Sequence, residues 1–278
     1  MKLFLALILA ALSIPLHAAD TLRINGSTTV NPVVAEVAEI LRKEKGITIQ
    51  VDTQGGSSGG ISALGDGRID IAMSSRPLNE ADHEKYPNVK FTPVKIGEDA
   101  VAIIVSKDVW DSGIKSISQA DMQKIYEKKT ANWKTLGGLD RRIAFFNKEP
   151  GRGTWEVFAN WLYGKADKAP SVAHPEVGAN EEARNKVAGS RGALSQLSAS
   201  WVDGKSVFAL SIKLNNGKTV APTAEHIVAG DYPLSRSLWV ITNGEPAGNS
   251  KVLIDFLLSE EGQKLVNKHG YLALADLK

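Results

Sequence analysis

A run of small residues at positions 54–60, Gln-Gly-Gly-Ser-Ser-Gly-Gly, constrains the fold more than any other stretch. It lies between an alternating apolar run at 47–51 and a helix-like apolar run at 61–64, an order that predicts a strand, a tight loop and a helix. Glycine lets the backbone adopt positive φ and approach a ligand closely. The first N–H groups of a helix lack intrahelical partners and lie at the positive end of its dipole. The loop therefore fits a small oxyanion, although a plain flexible turn has a similar composition.

A second junction of the same kind precedes this one. Residues 21–25 alternate like a strand and lead into Gly-Ser-Thr-Thr at 26–29, after which apolar residues recur at helical spacing from Val30 to Leu41. We expect Thr28 or Thr29 to be the N-cap of that helix. An N-cap and an anion site use the same geometry, so the two interpretations are compatible.

A third predicted strand at 68–73 ends in Ser-Ser-Arg-Pro at 74–77. The resulting β-α-β-α-β order predicts a largely parallel sheet. Its loops at the carboxyl ends of the strands carry Thr28, Ser57 and Ser75. In open α/β sheets ligands bind beyond those ends, so we expect the three hydroxyls to converge.

The fourth junction lies in the second half of the chain and carries two cations. A predicted strand at 142–146 is followed by Asn-Lys-Glu-Pro-Gly-Arg-Gly-Thr at 147–154 and then by an amphipathic helix. Backbone amides of Gly153 and Thr154, together with Lys148 or Arg152, could close over an anion from the opposite side. The alternative is that both cations are solvated surface charges.

The amino terminus is typical of a secretory signal peptide. Lys2 precedes an apolar run at 3–16, and small residues follow at 18–19, so we expect cleavage after Ala18 or Ala19 and a periplasmic protein. The alternative is a buried N-terminal helix. The chain has no cysteine, so we expect neither a lipid anchor nor disulfides.

Composition narrows the function classes. The 33 basic and 31 acidic side chains nearly cancel, which argues against nucleic-acid binding. No pair of histidines beyond the predicted signal peptide has metal-ligand spacing, and there is no Walker or dinucleotide glycine motif. No histidine beyond the predicted signal peptide lies near the hydroxyl-rich loops in sequence, so nothing indicates a serine nucleophile with its base. We therefore expect a non-enzymatic protein without a cofactor or metal.

Several motifs in order resemble the PstS-like phosphate-binding proteins of bacterial phosphate ABC transporters. The motifs are Gly-Ser-Thr-Thr at 26–29, the Gly/Ser loop at 55–60, Asp-Ile-Ala-Met-Ser-Ser-Arg at 70–76, Gly-Arg-Gly-Thr at 151–154, Gly-Asp-Tyr-Pro-Leu-Ser-Arg at 230–236 and Leu-Ser-Glu-Glu-Gly-Gln at 258–263. The resemblance covers essentially the whole mature chain. It implies the type 2 periplasmic binding protein fold, with two α/β lobes and a ligand cleft between them.

The resemblance also implies phosphate bound without a metal and delivered to an ABC transporter permease by a monomer. The implied ligand-binding residues are Ser27, Thr28, Thr29, Ser57, Ser58, Ser75, Arg76, Lys148, Arg152, Gly153 and Thr154. With a signal peptide at 1–19, we expect lobe 1 to comprise 20–100 and 238–278, and lobe 2 to comprise 101–237.

The chain departs from the family pattern at three positions. Ser75 stands where some members carry an aspartate that accepts a proton from phosphate. Lys148 stands where an arginine usually pairs with the anion, and Arg152 stands where a serine is usual. Lysine lacks the bidentate fork of arginine, so we expect Arg152 to supply it. Alternatives are another oxyanion (sulfate, molybdate or a phosphonate), an enzyme on the same fold, and a sensor or interaction protein.

Overall fold

The computed structural model describes residues 21–278, so the expected signal peptide lies outside the described part of the chain. The strands are β1 (Leu22–Gly26), β2 (Ile49–Asp52), β3 (Ile71–Ser74), β4 (Phe91–Ser106), β5 (Ser116–Ser118), β6 (Ala144–Lys148), β7 (Glu176–Val177), β8 (Ala193–Ser198), β9 (Val207–Lys213), β10 (Thr219–Val220) and β11 (Ser235–Asn243). The α-helices are α1 (Asn31–Lys45), α2 (Gly56–Gly65), α3 (Glu80–Lys85), α4 (Lys107–Asp111), α5 (Gln119–Tyr126), α6 (Gly153–Tyr163), α7 (Asn180–Ala188), α8 (Ala224–Val228), α9 (Gly248–Leu258) and α10 (Glu260–Lys268).

The first lobe is a sheet centred on β1 and β3. β1 pairs in parallel with β2 and β3, and β11 adds antiparallel to β3. Helix α1 packs in the core of this lobe because Val33, Val34, Val37 and Leu41 share one buried face. The parallel order confirms the predicted β-α-β-α-β unit and brings three hydroxyl-rich loops to one edge of the sheet.

Strand β4 runs through both lobes. Residues 91–100 pair with β11, and Val101–Val105 pair with β8. Residues 97–100 stay extended and pair with β11, where Asp99 faces Arg236, so one strand continues from the first lobe into the second.

The second lobe is built around β8. β8 pairs antiparallel with β4 and in parallel with β6, while β9 pairs with β4, β5 and β10. The fully buried Trp133 donates its indole N–H to the Gly192 carbonyl at 2.9 Å. Ser118 caps α5 by accepting from the Asp121 amide at 3.1 Å.

The predicted N-cap of α1 is wrong. The N-cap of α1 is Val30, not Thr28 or Thr29. Ser27 Oγ accepts from the amides of Thr29 at 3.1 Å and Val30 at 3.4 Å, so the threonine hydroxyls are not used for capping.

The strand predicted at 142–146 is instead β6, Ala144–Lys148. Arg142 forms only an isolated bridge with Asn132, whereas Asn147 and Lys148 pair with β7. Lys148 therefore lies at the end of a paired strand and not on a loop.

Between residues 21 and 278, no helix has the length and apolar character needed to cross a membrane. The same range contains no cluster of histidine and acidic side chains that could hold a metal ion.

Candidate functional site

A small cavity lies between the lobes where the four junctions meet. Its lining residues are Ser27, Thr28, Thr29, Gly56, Ser57, Ser75, Lys148, Arg152, Gly153, Thr154 and Gly178. The structure therefore brings together all of the predicted site residues except Ser58 and Arg76. Gly56 and Gly178 are additions that the sequence reasoning did not select.

Backbone amides supply the first set of donors. Helices α2 and α6 begin at the cavity, at Gly56 and Gly153, and α1 begins just after Thr29. Within residues 21–278, the amides of Thr28, Ser57, Gly153 and Thr154 have no acceptor in the protein. Unpaired amides at helix starts favour an anion.

Glycines let the two lobes approach each other at this point. A Cβ on Gly153 would lie 2.7 Å from both Ser57 Oγ and Ser75 Oγ, which belong to the other lobe. A Cβ on Gly56, whose φ is +60°, would lie 2.6 Å from Cδ of Arg152. Both positions therefore need glycine for the cleft to close.

Serine hydroxyls form a buried network on the first lobe. Ser27 Oγ donates to Ser75 Oγ at 2.9 Å. Ser57 Oγ accepts from the Ser75 amide at 3.1 Å and lies 3.5 Å from Ser75 Oγ. The three side chains are all at most 2% exposed, so their hydrogen bonds are shielded from water and are worth more than on a surface.

Arg236 is a site residue that sequence reasoning missed. It pairs with Asp99, with Nη2 and Nε at 2.7 and 3.0 Å from Oδ2. Its other N–H groups donate to Thr29 Oγ1 at 3.1 Å, Thr154 Oγ1 at 2.9 Å and Ser75 Oγ at 3.4 Å.

Two sequence signals pointed to this pair without assigning it a role. Arg236 ends a motif quoted for the family resemblance, and Asp99 directly precedes the apolar run at 100–105.

Lys148 is almost completely buried beside the cavity. Its ammonium donates to the carbonyls of Gly178 and Ala179, each at 2.9 Å, and to Asn180 Oδ1 at 3.2 Å. Burial, and after it the charges of Arg152 and Arg236, lowers the pKa of Lys148 to about 7. Lys148 is therefore charged beside the cavity below about pH 7, while its hydrogen bonds go to the loop before α7.

Asn180 connects Lys148 to the other lobe, and the sequence reasoning did not select it. Its Nδ2 donates to Thr29 Oγ1 at 3.1 Å while its Oδ1 accepts from Lys148. Asn180 is the first residue of α7, which fixes the position of its amide between the lobes.

Arg152 lines the cavity but is already paired. Its Nε and Nη2 lie 2.9 and 2.8 Å from Glu149 Oε2, and its Nη1 donates to the Thr53 carbonyl at 3.3 Å. The expected arginine fork is therefore directed at Glu149.

Arg76 and Ser58 lie outside the cavity lining. Arg76 binds Asp82 through Nη1 at 2.6 Å and Nη2 at 2.9 Å, and its Nε lies 2.7 Å from Glu156 Oε2. Ser58 Oγ accepts from the same guanidinium at 3.0 Å. Since Glu156 lies on α6, this cluster connects the two lobes beside the cavity.

Several hydrogen bonds cross directly between the lobes. The Ser58 amide donates to the Gly151 carbonyl at 3.0 Å. Asn79 Nδ2 donates to Glu156 Oε1 at 2.9 Å. With the Asn180–Thr29 bond, these contacts show the lobes in a closed arrangement.

The fold and the cavity together define a two-lobed α/β binding protein. The family model of the PBP superfamily domain matches residues 14–261, and the chain belongs to that superfamily. The phosphate-binding protein PstS of Bacillus subtilis (strain 168) is 31% identical over 263 residues, which are 94% of this chain and 83% of the relative. Within the superfamily, the chain belongs to the family of PstS phosphate-binding proteins.

Two solved structures are similar to this one over nearly its whole length. A Clostridium perfringens protein described as a phosphate ABC transporter substrate-binding protein, with bound phosphate, has a TM-score of 0.80 at 30% identity and covers 92% of this chain and 100% of its own. An ABC-type phosphate transport receptor from Vibrio cholerae has a TM-score of 0.71 at 29% identity and covers 90% of this chain and 99% of its own.

Proposed function

We propose that this protein captures inorganic phosphate between its lobes and delivers it to an ABC transporter permease. The observation that carries the proposal is the buried cavity in which amides and hydroxyls of both lobes converge beside cations. Such donors stabilise a tetrahedral oxyanion without a metal. The names of the PstS relatives support phosphate as that anion.

The proposal also covers the location, the oligomeric state and the lobe boundaries of the protein. The N-terminal sequence supports export to the periplasm, and the protein is proposed to act as a monomer without catalysis. We infer that lobe 1 comprises 20–100 and 238–278 and lobe 2 comprises 101–237. The change of partner of β4 after Ala100 supports the first of these boundaries. Hinge closure of the lobes on the ligand is the motion that this arrangement favours.

Native mass spectrometry and thermal unfolding test the proposal. Protein purified under non-denaturing conditions is expected to carry one phosphate. After the ligand is removed by reversible unfolding, phosphate is expected to raise the melting temperature, since a thousandfold excess over Kd adds about 4 kcal/mol. Sodium chloride at matched ionic strength is the control.

Two outcomes would contradict the proposal. A shift with another oxyanion but none with phosphate would exclude phosphate as the ligand. No shift with any oxyanion would favour a sensor or interaction protein.

A further inference from the structure

A second concave site, the β6-edge pocket, lies on the second lobe beside the start of β6. It has a volume of about 710 Å³, which is within the range of sites that bind small organic molecules. Its apolar wall includes Ile125, Ile143 and Phe145, which are at most 9% exposed. None of its described lining residues belongs to the interlobe cavity, which meets β6 at the other end of the strand, at Lys148.

The β6-edge pocket opens onto an unpaired stretch of the edge of β6. On this edge the Ile143 amide donates to the Ala131 carbonyl and the Asn147 amide donates to the Pro175 carbonyl, each at 2.9 Å. Between these two contacts, within residues 21–278, no strand pairs with β6 on the side away from β8. An added peptide strand needs a longer free edge, so the gap suits a small molecule.

The inner wall of the pocket is aromatic and held in place. The ring of His174 meets the ring of Phe145 edge-on, with centroids 4.7 Å apart. His174 Nε2 donates to the Tyr126 carbonyl at 2.7 Å, and the Tyr126 ring packs against both other rings. Aromatic rings pack favourably against a further ring, so this wall suits an aromatic ligand.

The rim of the pocket carries an excess of positive charge. Its described cationic residues are Lys128, Arg141, Arg142 and Arg191. The one carboxylate in the described lining is Asp140. Its oxygens accept from Asn132 Nδ2 at 2.9 Å and from Lys134 Nζ at 3.0 Å. Asp140 is therefore paired with a lysine outside the lining and does not offset the four cations.

The cations of the rim have too few carboxylate partners. Arg141 and Arg191 share Asp108, with their Nε atoms 3.4 and 3.9 Å from its Oδ2. The Arg141 Nε is buried and makes no hydrogen bond within residues 21–278. In the same range, the side chains of Lys128 and Arg142 form no hydrogen bond or ion pair. An anion in the pocket would supply the missing partner.

Lys128 has a backbone conformation that normally favours glycine. It follows α5 with a φ of +59°, and between residues 21 and 278 it is the single non-glycine residue with positive φ. A residue with a Cβ is strained in this region, and helices commonly end here in glycine. A strained position of this kind supports a role for the side chain that it carries.

We propose that the β6-edge pocket is a second ligand site and binds a small aromatic carboxylate. The aromatic ring packs against Phe145 and His174, and the carboxylate meets Arg142 and Lys128 at the rim. Burial of the ring and charge-assisted hydrogen bonds both contribute to the affinity. Since the two sites are separate, this inference does not depend on which anion the interlobe cavity binds.

Calorimetric titration with 2-naphthoate is the first test, with uncharged 2-naphthylmethanol as the comparison. The protein is expected to bind one 2-naphthoate with a dissociation constant in the millimolar range or tighter, the value that an ordinary ligand efficiency gives for a molecule of this size. The alcohol is expected to bind at least about tenfold more weakly, because it has no charge for the rim. No saturable binding of 2-naphthoate, or equal affinities for the two compounds, would overturn the inference.

Removal of one rim cation tests the charge requirement. Arg142→Gln is expected to weaken 2-naphthoate about tenfold, because a charge-assisted hydrogen bond is lost. The melting temperature is expected to match that of the parent, since no described residue pairs with this side chain. Arg68→Gln is the matched control, at an exposed arginine on the first lobe. Equal affinities of the two variants for 2-naphthoate would contradict the proposed role of the rim.

A bulky substitution tests the location of the site independently of charge. Ala131 is exposed, lines the pocket and contributes its carbonyl to β6. Ala131→Trp therefore fills part of the pocket while keeping that backbone bond, and it is expected to abolish saturable binding of 2-naphthoate. Ala229→Trp, at an exposed alanine outside the pocket, is the control and is expected to bind as the parent does. Undiminished binding by Ala131→Trp would place the ligand elsewhere and overturn the inference.

Discussion

At the scale of single residues, Lys148 sets the electrostatics of the cleft. Arg236 and Arg152 are each paired with a carboxylate, whereas the Lys148 ammonium is held by three neutral acceptors. Burying an unpaired charge is unfavourable, and an anion in the cavity would supply the opposite charge. Lys148 therefore couples ligand binding to the stability of the closed arrangement.

The lowered pKa of Lys148 gives a pH-dependent prediction. The ordinary lysine value is 10.5 and the native value is about 7, so between these pH values the unfolded chain holds a proton that the native protein has lost. The cost of burying this charge is complete below about pH 7 and disappears as pH rises toward 10.5. In ligand-free protein, the free energy of unfolding of Lys148→Met minus that of the parent is expected to fall between about pH 6 and about pH 9.5.

Denaturant titration at several pH values measures this difference. Lys251→Met, at an exposed lysine paired with Asp255, is the control and is expected to show no such trend. A pH-independent difference for Lys148→Met would mean that Lys148 keeps its ordinary pKa.

Gly153 gives a prediction about closure. Its φ lies outside the left-handed region, so alanine fits the backbone, and the added Cβ meets the hydroxyls of Ser57 and Ser75 and the Ser75 backbone, all in the other lobe. Gly153→Ala is expected to weaken phosphate binding about five- to a hundredfold, since overpacking costs about 1–3 kcal/mol, with little change in ligand-free stability. Gly189→Ala is the control, because its nearest contact is a single carbonyl at 3.2 Å. Equal binding by both variants would show that the lobes need not approach this closely.

At the scale of elements, strand ends and helix starts build the site, and these were the most predictable parts of the chain. Alternating and helical periodicity placed the junctions before α1, α2 and α6, because each is a local pattern. Arg236 could not be placed in this way. It lies on β11, and its contact with Thr29 joins residues 207 positions apart, so only the pairing of β11 with β3 and β4 brings it to the cavity.

The contact between α6 and the segment just before α3 gives a prediction at this scale. Glu156 on α6 binds Arg76 and Asn79 across the cleft without lining the cavity. Glu156→Gln is expected to weaken phosphate binding about tenfold through faster release, because a charged hydrogen bond that stabilises the closed arrangement is lost. Stopped-flow fluorescence of the native tryptophans measures the release rate. Glu260→Gln, in an exposed helical pair, is the control, and equal release rates in the two variants would contradict the prediction.

At the scale of the whole molecule, two sheets share the long strand β4, and the ligand site lies where their loops face each other. The two-lobed fold and most of the cavity lining could be predicted, since the family motifs and the periodicity agree. The partners of the cations could not be predicted. The sequence does not reveal that Glu149 forms an ion pair with Arg152 or that Lys148 donates hydrogen bonds to backbone carbonyls. These pairings decide which cation is left for the anion, and they depend on the packed structure.

Calorimetric titration of ligand-free protein with phosphate tests the central claim most directly when the parent is compared with two variants of α2. Ser57 lines the cavity, whereas Ser62 lies on the same helix outside it. The parent is expected to bind one phosphate per chain, Ser57→Ala to bind roughly ten- to a hundredfold more weakly, and Ser62→Ala to match the parent. No binding heat in the parent, or equal affinities for Ser57→Ala and Ser62→Ala, would contradict phosphate binding in the interlobe cavity.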